Sequence, residues 1–529
     1  MLVQPYSCTT EGQYHCITGI VSTEITDYKG EKIETTMESC ATAPVTPSAL
    51  LEPSIVHCDA QPPATWRLLC TEMAGVWRAH GSVVHFAVNS AGKDEREVLA
   101  RVTGKGLISN AGDALLPIAT RLAFRHFLGH PRWVLAHLRQ TREMVASQVS
   151  MAVSDPNVAA VVVGGGGLFY PANPNSQQSF SGWQWRIDHQ ALARLIRARP
   201  LLLFGVGWNR FRGQADAPKI FDRAFNLSLA TLTSTGTAAI AGDHAATGAH
   251  VGLRDSYSLG AIGARVRNAR RIVYQPCATT LIGALQPCLA TRTLLNRSAR
   301  ILAIGFAADQ LELRIGRASE LSRLLEQLLR FALNAHHDGW EIHFVEGARR
   351  DNDELMRAHS AHNWSFPYRV ITFGTASSIV EYYRSVTVVA SSRGHGVMIP
   401  FGLHCATISL ITHEKVRSFL DDIGHPEWGV ELTASRRDDG GARVASELGQ
   451  LLAHIDVHRA QVHAEIVLAQ RRLLQVTADN MLAFGQEILA RRRVQTHVRA
   501  EQTHAAHSSR GRGTASRNAE VGHAAASPV

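Results

Sequence analysis

Residues 391–396 read SSRGHG and follow the apolar run 386–390 (VTVVA). Arg393 offers a rigid fork of donors that can grip a carboxylate or phosphate through two parallel bonds. His395, two residues on, titrates near neutral pH and suits proton transfer. Ser392 adds a hydroxyl beside them. Lys415, in THEK (412–415) after the next apolar run, adds a second cation. A lone histidine is commonly structural. One beside an arginine, flanked by Ser and Gly at a strand end, points to a site.

Three other polar clusters also follow apolar runs. RDSYS (254–258) brings a second guanidinium, Arg254, with Asp255 or Ser256 suited to cap a helix. Its plainer reading is a structural Arg–Asp pair. SNAGD (109–113) follows the glycine-rich stretch 104–107. Asp113 is expected to cap a helix from Ala114, while Asn110 and Gly112 allow a tight turn close to a ligand. A capped turn with no ligand is the alternative. The run 164–167 is four glycines, and Gly165 and Gly166 would let a ligand approach closely. It lacks the G-x-G-x-x-G spacing of a dinucleotide loop and the Gly-Lys-Ser/Thr of a phosphate loop, so alone it is weak. Asn209 lies in the turn GWNR (207–210) after another apolar run. DND (351–353) resembles a cation-holding D-x-D pair, but a polar stretch before a helix explains it better. With no HExxH and no compact His/Cys cluster, no metal site is expected.

These clusters need strands to carry them. Runs 158–163 (VAAVVV) and 201–206 (LLLFGV) are continuous and apolar, as in strands buried on both faces of a parallel sheet. Segments 251–253, 300–306, 341–345, 386–390 and 405–411 read as further strands. Segments 321–335 and about 396–401 read as helices. The alternation predicts an α/β protein: two Rossmann-like parallel-sheet domains facing a cleft, with C-terminal helices and disordered ends. Their expected extents are 61–290 and 298–430, with closing helices over 445–495 and Thr477 as a helix cap. In such sheets ligands sit at the carboxyl ends of strands.

The chain has 529 residues and a net charge of +9. Residues 1–60, with two Lys against eight acids, are −6 and read as a poorly ordered leader. Residues 491–529, with seven Arg against two Glu, are +5, and 499–529 reads as a disordered basic tail. The body therefore carries +10, which suits anionic partners. Five of eight cysteines precede residue 71 without a CxxC spacing; Cys277, Cys288 and Cys405 are expected as core thiols. No apolar run reaches the ~18–20 residues that span a bilayer, and no secretory signal opens the chain. A cytoplasmic location is expected. Segment 121–142 is basic, apolar and aromatic. It could lie on the inner face of a membrane, although a helix pair broken at Pro131 is the plainer reading.

In this order the clusters resemble the polysaccharide pyruvyl transferase family. The match is N-x-G-D at 110–113, G-G-G at 164–166, R-D-S-x-S at 254–258, and S-x-R-x-H at 391–395 followed by a helix, a strand and Lys415. It covers roughly residues 100–430. Gly394 stands where the family usually has Leu. Gln275–Pro276–Cys277–Ala278 stands where it has Asp-Pro-Ala. The resemblance implies two facing Rossmann domains of the GT-B type and phosphoenolpyruvate as donor substrate, with no cofactor. The acceptor would be a sugar or lipid-linked oligosaccharide of exopolysaccharide or cell-surface glycan synthesis. It implies anion-binding roles for Arg254 and Arg393 and an essential role for His395. Asn110, Asp113, Gly165, Gly166, Asn209, Ser256, Ser392 and Lys415 would be substrate-binding.

Two other functions fit the residues. One is a nucleotide-sugar glycosyltransferase on the same scaffold. The other is a basic, non-enzymatic binder of anionic polymer. Nucleic acid is not expected, because no recognition motif or aromatic-interleaved basic stripe is present.

Overall fold

The computed structural model describes residues 24–26 and 32–34 and most of residues 64–517. Stretches 89–109, 170–180, 235–248, 267–271 and 434–438, and a few shorter gaps of one or two residues, lie outside the described residues. The glycine-rich stretch 104–107 and Ser109 fall among those outside.

Strands are numbered in chain order from β1 (Glu24–Thr26) and β2 (Lys32–Glu34). The first sheet comprises β3 (Ser82–Ala87), β4 (Arg132–His137), β5 (Val158–Phe169), β6 (Leu201–Trp208), β7 (Ala249–Leu253) and β8 (Ile272–Tyr274). All neighbours pair in parallel, in the order β4-β3-β5-β6-β7-β8. The second comprises β9 (Ile301–Gly305), β10 (Glu341–Val345), β11 (Arg369–Ile371), β12 (Val388–Ser391), β13 (Ala406–Ile411) and β14 (Gly429–Glu431). Its order is β14-β13-β12-β9-β10-β11, again parallel, and then β1 and β2 add on antiparallel, with Ile25 opposite Ile371. The architecture is thus two Rossmann-like parallel-sheet domains. The leader, expected to lack regular structure, contributes two short strands. They cover the otherwise unpaired edge of β11, where free backbone groups need partners.

Six helices bear on the site: α1 (Ala64–Arg78), α2 (Ala111–Leu128), α3 (Ser256–Gly263), α4 (Gly394–Gly402), α5 (Glu414–Ile423) and α6 (Arg459–Arg517). Helix α6 has 59 residues. It continues to Arg517, inside the region 499–529 expected to be a disordered tail; residues 518–529 lie outside the described residues. Thr477 is not a cap but a buried mid-helix residue: it donates to the Leu473 carbonyl and accepts from Gln275. The helix crosses from one domain to the other. Arg459 donates to the carbonyls of Asn296 and Ala299, Gln470 to that of Phe401, Asn480 to that of Tyr274, and Arg491 to that of Ile196.

Segment 121–142 is neither a helix pair nor a surface helix. Arg121, Phe124 and Phe127 of α2 are buried, and 132–137 is β4, whose Trp133 meets Phe124 edge-on at 5.1 Å. Much of its apolar surface packs on the core of the first domain. No helix among the described residues is long and apolar enough to cross a membrane. Cys277 and Cys405 are buried as expected, but Cys288 is exposed.

The strand orders locate the site. In the first sheet, β3 leads outward to β4, and the chain then returns to β5 on its other side. In the second, β9 leads to β10 and β11, and the chain returns to β12. Each reversal leaves a crevice at the strand carboxyl ends where no crossover covers the sheet. The start of α2 and the turn from β12 into α4 lie at these crevices, while Asn209, RDSYS and Lys415 follow β6, β7 and β13.

Candidate functional site

The glycine run is not a turn. Strand β5 continues through it to Phe169, with Gly166 at φ 94°. A Cβ at Gly164 would stand 2.6 Å from the Phe204 carbonyl oxygen, and one at Gly167 would stand 2.7 Å from Cβ of Asn209. The run therefore lets β6 and its following turn lie close, which seats Asn209. Asn209 Oδ1 accepts a 3.0 Å bond from Nζ of Lys415 in the other domain.

Helix α2 starts three residues earlier than expected. Its cap is Asn110, not Asp113: Asn110 Oδ1 accepts from the N–H groups of Gly112 and Asp113. Ala111 N–H donates across the cleft to the Gly347 carbonyl. Asp255 caps α3, accepting from Ser258 N–H at 2.7 Å, and also pairs with Arg254 Nε at 3.0 Å. Arg254 lies flat on Gly207, where a Cβ would stand 2.2 Å from Nε. Its Nη2 is buried without a hydrogen-bond partner.

Arg393 immediately precedes α4 and sits deep in the second domain. Asp351 holds its Nε and Nη2, and Asp309 meets Nη2 at 2.7 Å. Burial works against the charge of Arg393, but these two carboxylates keep it protonated. His395 is partly buried on the first turn of α4, with Nδ1 where a side chain at Gly112 would stand and Nε2 3.7 Å from Cys277 Sγ. Burial first, then Arg254, Lys415 and Arg393, lowers its pKa to about 3, so the free protein holds a neutral imidazole. Burial, then Arg254 and Arg314, also moves Lys415 well below the ordinary lysine range.

One cavity of about 310 Å³ gathers Asn110, Asp113, Asn209, Arg254, Arg393, His395 and Lys415 from both domains. The other expected binding residues lie elsewhere. Gly165 and Gly166 pack on Leu116. Ser392 accepts from Ala307 N–H in the second domain's frame. Ser256 bonds Ser418 at 2.7 Å and donates its N–H to Asp422, forming a contact between α3 and α5. Serines at strand ends serve backbone satisfaction as readily as ligands.

Sequence reasoning missed Arg314, Asp309, Gln310 and Phe211, which also line the cavity. Arg314 stacks on Phe211 at 4.9 Å and binds Asp309. It sits in a four-residue helix with no motif around it, and its partners Thr412 and Phe211 are remote in sequence. Asp351, discounted as a metal ligand, is the buried counter-ion of Arg393. Among the described residues no group of three or more His, Cys, Asp or Glu could hold a metal ion.

No family model and no curated protein matches the chain. Among solved structures it is similar to a glycosyltransferase from Rickettsia africae (12% identity, TM-score 0.39, covering 77% of this chain and 97% of that one). It is similar to the UDP-GlcNAc 2-epimerase of Methanocaldococcus jannaschii (7%, 0.39, 70% and 92%). It is also similar to that of Neisseria meningitidis bound to UDP-GlcNAc (8%, 0.38, 79% and 100%). At these scores the likenesses carry no argument about substrate.

Proposed function

We propose that the cleft is the active site of an enzyme that transfers the enolpyruvyl unit of phosphoenolpyruvate onto two hydroxyls of a sugar. The observation that carries this is the buried, unpartnered Nη2 of Arg254 in one cavity with Lys415, Arg393 and a neutral His395. Phosphoenolpyruvate carries a carboxylate and a phosphate, so it needs cations on two sides. Its compactness suits a cavity at the small end of the ~300–1,000 Å³ range of ligand sites.

The chemistry balances in this frame. The methylene carbon gains a proton and becomes a methyl group. Two C–O bonds form at the adjacent carbon as the C–O bond to phosphate breaks. The two hydroxyl protons end on the methyl group and on phosphate. His395, neutral before the donor arrives, would take a hydroxyl proton. The donor's negative charge would then stabilise the imidazolium so that it can deliver the proton. Arg254 and Lys415 would hold the departing phosphate, stabilising charge where it develops. Asn110 and Asn209 offer neutral polar groups for the acceptor sugar.

The deciding experiment is phosphate release from phosphoenolpyruvate across a panel of sugar and lipid-linked acceptors, with mass analysis for an added pyruvate ketal. Release coupled to a ketal is expected. Binding of a nucleotide sugar with no release would overturn the reading.

A second reading, a sugar-nucleotide enzyme, has its own support. The helix start at Gly394 borders the cavity, and helix N-termini favour phosphate oxygens. It predicts thermal protection by a nucleotide sugar but not by phosphoenolpyruvate.

A further inference from the structure

We propose that Arg314 and Arg393 form a second anion-binding position in the cleft, and that Asp309 is its resident carboxylate, displaced when a group of the substrate enters. The inference rests on the reading above for the donor's identity, though the exchange itself does not depend on it.

Asp309 bridges two guanidiniums. Its Oδ1 is 2.7 Å from Nη2 of Arg393, and its two oxygens are 3.2 and 3.1 Å from Nη2 of Arg314. Arg314 is fixed on its other sides. Nε donates to the Asp309 carbonyl at 2.8 Å, Nη1 to Thr412 at 3.2 Å, and its face lies on Phe211. The edge it turns to the Asp309 carboxylate is therefore preorganised to receive an anion.

The two acids on Arg393 differ. Asp351 is 2% exposed and also accepts from the Ala348 N–H, so it is part of the frame. The Asp309 side chain is 47% exposed and follows β9 on a short segment that ends at Gln310, held at φ 55°. That left-handed geometry is unfavourable for a residue with a Cβ. An exposed carboxylate on such a segment can withdraw without opening the core. Burial tends to raise its pKa, but Arg314 and Arg393 hold it at about 2, so it competes as an anion at every ordinary pH.

The exchange sets substrate class. A single free anion must displace a carboxylate that is already tethered. A donor held at Arg254 and Lys415 presents its second anionic group at high local concentration and displaces Asp309 readily. The site therefore selects compact donors with two anionic groups over single anions.

Calorimetry on the full chain tests this with phosphoenolpyruvate, inorganic pyrophosphate and inorganic phosphate as probes. Asp309→Asn should tighten phosphoenolpyruvate about tenfold, the scale of a charge-assisted hydrogen bond, and inorganic phosphate by more, narrowing the selectivity. Arg314→Met should weaken phosphoenolpyruvate by about tenfold or more. Thermal unfolding without ligand checks that each variant folds, and Arg314→Lys replaces Arg314→Met if that variant does not. Equal or weaker binding to Asp309→Asn, or unchanged binding to the Arg314 variant, overturns the exchange, as does no binding of any probe. If only pyrophosphate binds, and tighter to Asp309→Asn, the exchange stands and the phosphoenolpyruvate reading falls.

Discussion

Gly112→Ala tests the seating of His395 without altering any group proposed to do chemistry. A Cβ at position 112 would stand 1.9 Å from Nδ1 of His395, 2.4 Å from Cγ and 2.8 Å from its Cβ. Ordinary contacts are about 3.5 Å, so the ring must retreat by about 1.5 Å. Its retreat is hindered on the far side, where Cys277 Sγ lies 3.7 Å from Nε2. A misplacement of about 1 Å in a catalytic group can cost about 10²-fold in rate, so turnover should fall by about that factor or more. Overpacking should also destabilise the fold by about 1–3 kcal/mol. The assay pairs ketal formation with equilibrium unfolding in urea. His395→Ala completes a double-mutant cycle. Alone it should cost about 10²–10⁴ in turnover. Added to Gly112→Ala it should cost little more and should restore part of the lost stability, because removing the imidazole leaves room for the new methyl. Two outcomes refute the reasoning: normal turnover in a folded Gly112→Ala protein, or fully additive losses in the double variant.

Arg254→Lys removes the fork that meets the donor but keeps a charge. The KM for phosphoenolpyruvate should rise about tenfold with a smaller change in kcat, and a rise confined to the acceptor's KM would reassign Arg254. Asp422→Asn keeps an acceptor for the Ser256 N–H while removing a carboxyl whose pKa burial raises to about 7. A raised carboxyl pKa means folding stability is lost as pH climbs from the unfolded value of about 3.9 to 7. The variant should therefore gain on wild type across that window, by on the order of 1–3 kcal/mol, and hold its lead above pH 7; a pH-independent difference in unfolding free energy counts against this. Gly485→Val puts a side chain where even a Cβ would stand 2.8 Å from Leu128 and 3.2 Å from Leu69. It should destabilise the protein by about 1–3 kcal/mol, and an unchanged midpoint in denaturant would show that α6 packs otherwise.

The parts of this fold most legible in the sequence have one environment along their length. Strands β5 and β6 are buried on both faces, so unbroken apolar runs marked them. Arg254, Arg393 and His395 could be singled out because strand-end position and residue type agreed. Elements whose surroundings change were harder. Helix α6 meets the second domain near Gln470 and the first near Arg491, so its buried face shifts and no single period persists. Strand β4 follows Pro131 and carries a mixed basic and aromatic sequence that suits a strand or a helix. Arg314 was invisible because its meaning lies in Asp309, Thr412 and Phe211, which come together only in the folded chain. The protein partners of Ser256 and Ser392 were not legible, because a hydroxyl beside a strand end reveals its type but not its partner.

Helix α6 has a consequence for how the cleft can admit a ligand. Between Arg459 and Arg491 it is clamped to carbonyls in both domains over a length of about 48 Å, at 1.5 Å per residue. Swinging the domains apart as two jaws would break those clamps together with the bridges from Thr477 and Asn480 to Gln275. The helix thus works as a tie bar between the two halves of the cleft, so a wide opening of the mouth costs clamps in both domains at once.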